Sequence, residues 1–262
     1  LGSPGRLEEK GRSVRIIGVG TSNAGASAWS RYRMLVAEHR QERLLLRGVL
    51  ACGIGVVVAG FSVWWAGPGT AMAAFAAFTV YERTRPSPAT SWRQGAVAER
   101  RTGRSLARLD PSGFKVLHDR ALPGAPATNL DHLVIGITGV YAIASRRWRW
   151  GLRLRSEGRR LWVGNKPAGD LAGAATRAAR TVAEVLSLEL DHEVPVTPMV
   201  SVHGAKVPRS GLRHGGVLFV AARPLPDVLS ARPVVFTSAQ VATVTAAAEQ
   251  MLPPMLETLF RK

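Results

Sequence analysis

The chain has 262 residues, with 35 lysines and arginines against 18 aspartates and glutamates, a formal net charge of +17 carried almost wholly by arginine. That balance favours a polyanionic partner, either nucleic acid or an anionic membrane face, although arginine enrichment across a whole genome would leave the same imprint. The single cysteine, Cys52, excludes an intramolecular disulfide framework and any CxxC metal site.

Residues 1–43 open the chain as a basic tail. The first 27 are rich in Gly, Ser and Arg, lack a sustained period and read as disordered. Helical character then rises through Arg31, Arg33, Arg40, Arg43 and Arg47, a cluster placed to meet anionic lipid heads. From Gly48 to Tyr81 no residue is charged. As one helix this run would be about 50 Å long, well beyond a bilayer core of roughly 30 Å. Gly67-Pro68-Gly69 is expected to break it into a transmembrane hairpin over 44–82, with helices at about 44–65 and 69–82 and Trp64-Trp65 at an interface. Arginines flank both outer ends and none sits in the central turn. The positive-inside rule therefore places both ends, and the soluble part, on the cytoplasmic side of the cell membrane.

Residues 83–91, with Pro86 and Pro88, read as a linker. The composition from 92 to 254 is that of an α/β domain, followed by a short tail at 255–262. Good helix formers run from Gly95 to Leu109, and Asp110-Pro111-Ser112-Gly113 ends them. Strands are expected at Phe114–His118, Leu130–Ile137 and Val140–Ile143, the last two joined by a turn at Gly139. In Arg147–Arg155 arginines and apolar residues alternate, which predicts a strand with Arg147, Arg149, Arg153 and Arg155 on one face. Arg159–Val163 would return as its hairpin partner. An alanine-rich helix follows over Ala168–Leu190. A strand at Val194–Val202 has Pro195 and Pro198, which suggest a sheet edge or an irregular start. A strand at Gly216–Ala221, a helical turn at Leu225–Leu229 and a last helix from an N-cap at Ser238 to Met251 complete the order.

Five segments taken together resemble the nuclease-related domain family, NERD, and in particular its membrane-anchored bacterial members. They are Gly95-Ala96-Val97-Ala98-Glu99, Val116-Leu117-His118-Asp119, Leu122-Pro123-Gly124, Asn129-Leu130-Asp131-His132 and Gly139-Val140-Tyr141-Ala142-Ile143. The resemblance implies a PD-(D/E)xK nuclease-like mixed sheet flanked by helices. In that class a helix acid, a strand acid and an acid-x-lysine pair on the next strand surround a divalent metal. The metal neutralises charge on the phosphoryl group and activates water. Glu99 matches the helix acid and Asp131 the strand acid. The acid-x-lysine pair falls at Ala144-Ser145-Arg146, where alanine offers no ligand and arginine, with a pKa above about 12, cannot accept a proton.

The expected function is that of a membrane-anchored, nuclease-related protein that binds DNA through Arg147, Arg149, Arg153, Arg155, Arg159 and Arg160, with cleavage lost or weak. Glu99 and Asp131 would hold Mg²⁺ weakly at most, and Arg146 stands in the place of lysine. Two alternatives stay open. One is an active nuclease whose missing ligand comes from elsewhere, such as Asp119 or Glu157. The other is a membrane scaffold that binds protein partners. Bland roles also stay open: an exposed helix position for Glu99, a turn or cap for Asp131, and tryptophans facing the core beneath solvated arginines.

Overall fold

The computed structural model describes residues 24–38, 40–61, 64–84, 88–124 and 129–259. Most of the basic tail, residues 1–23, lies outside them.

Three helices open the described chain: α1 (Ala26–Glu38), α2 (Arg40–Phe61) and α3 (Ala66–Thr84). The segment Leu44–Phe61 of α2 is long and apolar enough to cross a membrane, with a mean hydropathy of 2.2 and only 11% of its residues buried. Leu45, Val49, Val56, Val57 and Phe61 all point outward, so this segment exposes apolar side chains where it does not meet α3. Helix α3 returns alongside α2. A Cβ at Gly55 would meet Gly67 O at 2.9 Å and Ala71 Cβ at 2.8 Å, while one at Gly67 would meet Ala59 Cβ at 2.9 Å. Small residues four apart on both helices thus let the two backbones touch. The break falls earlier than expected, because Gly67-Pro68-Gly69 lies inside the first turn of α3. Proline is tolerated there, where its missing N–H has no intrahelical partner.

The expected linker is likewise largely helical: α4 (Pro88–Leu106) begins at Pro88. Strands β1 (Phe114–Ala121), β2 (Asn129–Gly136) and β3 (Gly139–Arg147) form an antiparallel meander. A small separate sheet follows, β4 (Leu154–Glu157), β5 (Arg160–Val163) and β6 (Lys166–Pro167). After α5 (Leu171–Leu190) come β7 (Val196–His203), β8 (Leu212–His214) and β9 (Val217–Ala221). The main sheet is mixed, in the order β1-β2-β3-β7-β9-β8, with β7 parallel to both β3 and β9. The chain ends in α6 (Leu225–Ser230), α7 (Ser238–Met251) and α8 (Met255–Leu259).

Helices cover both faces of the sheet. Leu133, Ile135, Val140 and Ala142 pack with Val182 and Leu186 of α5 and Val244 and Ala248 of α7. Val134, Tyr141 and Ile143 pack on the other face with Leu106 of α4 and Leu225 and Leu229 of α6. This is a mixed α/β fold with a six-stranded sheet flanked by helices.

Three local expectations need correction. Residues 148–153 form no strand: Gly151 takes φ +86°, a left-handed turn that ends the alternation. The arginines therefore do not line one face of a ribbon. Strand β7 is central rather than an edge, and of the two expectations the irregular start holds: its pairing with β9 begins only at Met199, so Pro198 interrupts no β9 ladder. The last helix is capped by Thr237, one residue before Ser238, in a reciprocal box with Gln240. The short strand β8 carries too few apolar residues to be read in advance.

Candidate functional site

Helix α4 lies across the meander and presents Glu99, Thr102, Gly103 and Leu106 to it, spaced three and four apart on one face. Beneath this face runs a buried polar seam. Ser145 Oγ donates to Thr102 Oγ1 at 2.9 Å, and Thr102 Oγ1 donates to Ser201 Oγ at 2.9 Å. His203 Nε2 lies 2.8 Å from Thr102 Oγ1, His132 Nε2 3.2 Å from Ser145 Oγ, and the Nδ1 atoms of His118 and His132 are 2.8 Å apart. One tautomer set satisfies every member. His203 and His132 carry protons on Nε2 and donate to the hydroxyls, and His118 donates from Nδ1 to His132. The seam then contains only neutral imidazoles. Burial, more than any neighbouring charge, pushes all three histidines below the ordinary range, His203 to about 4.

The seam joins an acid cluster at its Ser145 end. Asp131, 7% exposed, accepts the Ser145 N–H through Oδ2 at 2.6 Å. The β2–β3 pairing ends with His132 opposite Ile143, and Ala144 packs with Leu154 and Val200 rather than lining the acid groove. Arg146 brings Nη1 to 3.8 Å from Asp131 Oδ2. Burial raises the Asp131 carboxyl against the pull of Arg146 and the Ser145 N–H. Glu99 is 6% exposed, and its Oε2 is buried without a partner. Burial first, then the charges of Asp131 and Asp119, push Glu99 up to about 9.

Asp119 is held apart from these two by its own partners. It accepts Ser27 N–H at 2.8 Å, Ser27 Oγ–H at 2.6 Å and Asn129 Nδ2–H at 2.8 Å. Its φ of 52° is a left-handed conformation that aspartate tolerates. Ser27 belongs to α1, which packs on α4. A Cβ on Gly103 would sit 2.8 Å from Ala24 Cβ, and one on Gly25 would sit 2.9 Å from Ala96 O. The sequence reading missed both this N-terminal contact and the seam. A visible signal for the seam was the polar Ser145, Ser201 and His132 in otherwise apolar strands.

An open groove of about 520 Å³ exposes Glu99, Asp131, Ser145, Arg146 and Arg147 together. Glu157 lies elsewhere, on the small sheet, paired with Arg155 at 3.1 Å. Among the described residues, no group of three or more His, Cys, Asp or Glu is placed to hold a metal ion. The two acids of the groove are answered otherwise: a proton on Glu99 satisfies its orphan oxygen, and a guanidinium faces Asp131. The donor set does not fit a divalent cation. Of the arginines, Arg147 and Arg149 line a second groove with Arg93, Trp148 and Trp150. Arg153, Arg155, Arg159 and Arg160 are exposed on or beside the small sheet. Trp148 packs into the core under α5 and Trp162 is half-buried, whereas Trp150 is 87% exposed.

The Glu99 shift has a sign that can be measured. A carboxyl raised in the folded state contributes its stability below the unfolded value of 4.5 and loses it as pH rises toward about 9. Near neutral pH that loss is on the order of 3 kcal/mol. Glu99→Gln is therefore expected to raise the melting temperature of the full chain in detergent and EDTA at pH 8 and to flatten its alkaline decline. An unchanged slope would show that Glu99 is not the buried acid that titrates.

No curated protein and no solved structure matches this chain. Residues 94–203, which run from within α4 through the meander and α5 to the last residue of β7, match the family model of the nuclease-related domain, NERD.

Proposed function

We propose that this chain is a membrane-anchored, nuclease-related protein that binds nucleic acid at the cytoplasmic face and no longer cleaves it. The observation that carries the reading is the occupant of the acid-x-lysine position of a PD-(D/E)xK-like site. Ala144 supplies no carboxylate, and the Arg146 guanidinium sits 3.8 Å from the Asp131 carboxylate. A fixed cation takes the place of a dispensable metal, and the exposed arginines beside it suit phosphate contacts. No step is assigned to Mg²⁺.

The topology rests on a second contact. Helix α1 precedes the α2–α3 pair, α4 follows it, and the two are packed together. Arg31 lies over the Trp92 ring at 5.2 Å and Arg100 over the Trp29 ring at 4.8 Å. This packing supports both ends of the pair lying on the same side of a bilayer, with an even number of crossings. The apolar part of α3 is short for a span, and its close fit to α2 through Gly55 and Gly67 supports the second crossing.

Three measurements test the reading, each on the full chain because α1 completes the domain. Supercoiled plasmid should survive the unaltered protein with Mg²⁺ or Mn²⁺, while Ala144→Asp with Arg146→Lys gains metal-dependent nicking. Nicking by the unaltered chain would overturn the inactive reading. Duplex DNA should bind with a steep salt dependence, and Arg147→Ala with Arg149→Ala should lower the slope by about two. Salt-independent binding, or none, would remove nucleic acid as the partner. Tags at the two termini should both resist protease in intact cells; cleavage of only one would refute the even-numbered topology.

A further inference from the structure

A row of arginines on α4 and the turn after it points away from the acid cluster toward Trp150. Arg93, Arg101 and Arg104 fall eight and three residues apart on one stripe of the helix, and Arg108 follows in the turn beyond its end. Arg101 and Arg104, three residues apart on the helix, repel each other. Among the described residues, neither Arg101 nor Arg104 finds a carboxylate within ion-pair distance. The row borders a groove of about 520 Å³ whose opposite wall supplies Lys206 and Arg223, and no Asp or Glu lines it. Its floor is made of small residues, including Gly204, Ala205, Ala221 and Ala222. Trp150 stands at one end of this groove and also lines the neighbouring one, with Arg93, Arg147 and Arg149. Unlike Trp148, it has no place in the core, and its indole is 87% exposed.

We propose that the groove along α4 holds a single-stranded nucleic acid, with an unpaired base stacked on Trp150 and phosphates on Arg101, Arg104 and Lys206. This rests on the nucleic-acid reading above and adds the strand form. The discriminating feature is the indole. A basic surface alone suits a duplex, but an aromatic face between two cationic grooves has no base to stack on until the strand is open. From Arg93 to Arg104 the stripe extends about 16 Å along the helix, room for a few nucleotides.

The test uses the full chain in phosphatidylcholine nanodiscs, with fluorescence anisotropy of a labelled oligothymidylate and of a labelled blunt duplex. Trp150→Ala should weaken the single strand about tenfold or more and leave the duplex within about twofold, while Trp150→Phe keeps most of the affinity. Because the side chain is exposed, the melting temperature should not change. If Trp150→Ala weakens both forms equally, or neither, while duplex binding persists, the single-strand site is overturned and the general reading stands. If neither form binds, both fall. Trp150 could instead meet lipid. Quenching by acrylamide, taken as the difference between the unaltered chain and Trp150→Phe, separates the cases. Shielding by phosphatidylserine discs with none by oligothymidylate would assign the face to a membrane surface and overturn the proposal.

Discussion

The placement of the acid cluster depends on the buried seam from His118 to His203. Its hydroxyls and imidazoles have one another as partners, and leaving one unmatched inside the fold costs about 1–3 kcal/mol. Rotating α4 by one residue would turn Thr102 away from Ser145, Ser201 and His203 together. The seam thereby fixes both the height and the rotation of α4. Glu99, one helical turn before Thr102, is carried into the groove as a consequence. Ser145 links the two systems, because its hydroxyl belongs to the seam while its backbone N–H holds Asp131.

The second constraint crosses the hairpin. The chain touches the sheet domain through Ser27, leaves through α2 and α3, and comes back as α4. Ser27 gives Asp119 two of its three hydrogen bonds, so the residues before the apolar run are structural parts of the domain that follows it. That arrangement ties the domain to both ends of the hairpin. It also explains the glycines at 25 and 103, where a side chain would separate α1 from α4.

Much of the sheet was legible because its strands advertise themselves locally. Leu130–Ile137 and Val140–Ile143 are apolar runs around a Gly turn, and the structure pairs them with Gly136 opposite Gly139. The alanine-rich helix expected over Ala168–Leu190 was equally plain, and it begins at Leu171 behind its Asp170 cap. What escaped was set by tertiary neighbours. Alternation in Arg147–Arg155 satisfied the strand pattern, but Gly151 and the packing of Trp148 under α5 decided otherwise. Pro198 suggested an edge, and only the late start of the β9 pairing shows how a central strand accepts it. The seam joins segments up to about a hundred residues apart, a pairing that no local period encodes. For the site, the pairing of Asp131 with Arg146 was legible only through the family resemblance, which set Arg146 in the place of the lysine beside the strand acid. The burial of Glu99 did not, since Arg100 and Arg101 beside it read as a solvated face.

Magnitudes indicate why a metal would compete poorly here. To act as a ligand near neutral pH, Glu99 must first surrender a proton held with a pKa of about 9. That step alone costs about 3 kcal/mol, or roughly a hundredfold in apparent affinity. The cation must also share Asp131 with Arg146, whose half-exposed guanidinium adds a partly screened repulsion. A carboxylate at 144 would add a ligand against these costs. A lysine at 146 would keep a positive charge but as a compact, mobile ammonium rather than a fixed fork. The two substitutions address different parts of the same deficit, so restoring either alone leaves the other in place. Neither substitution alters the strand scaffold or the exposed arginines around it.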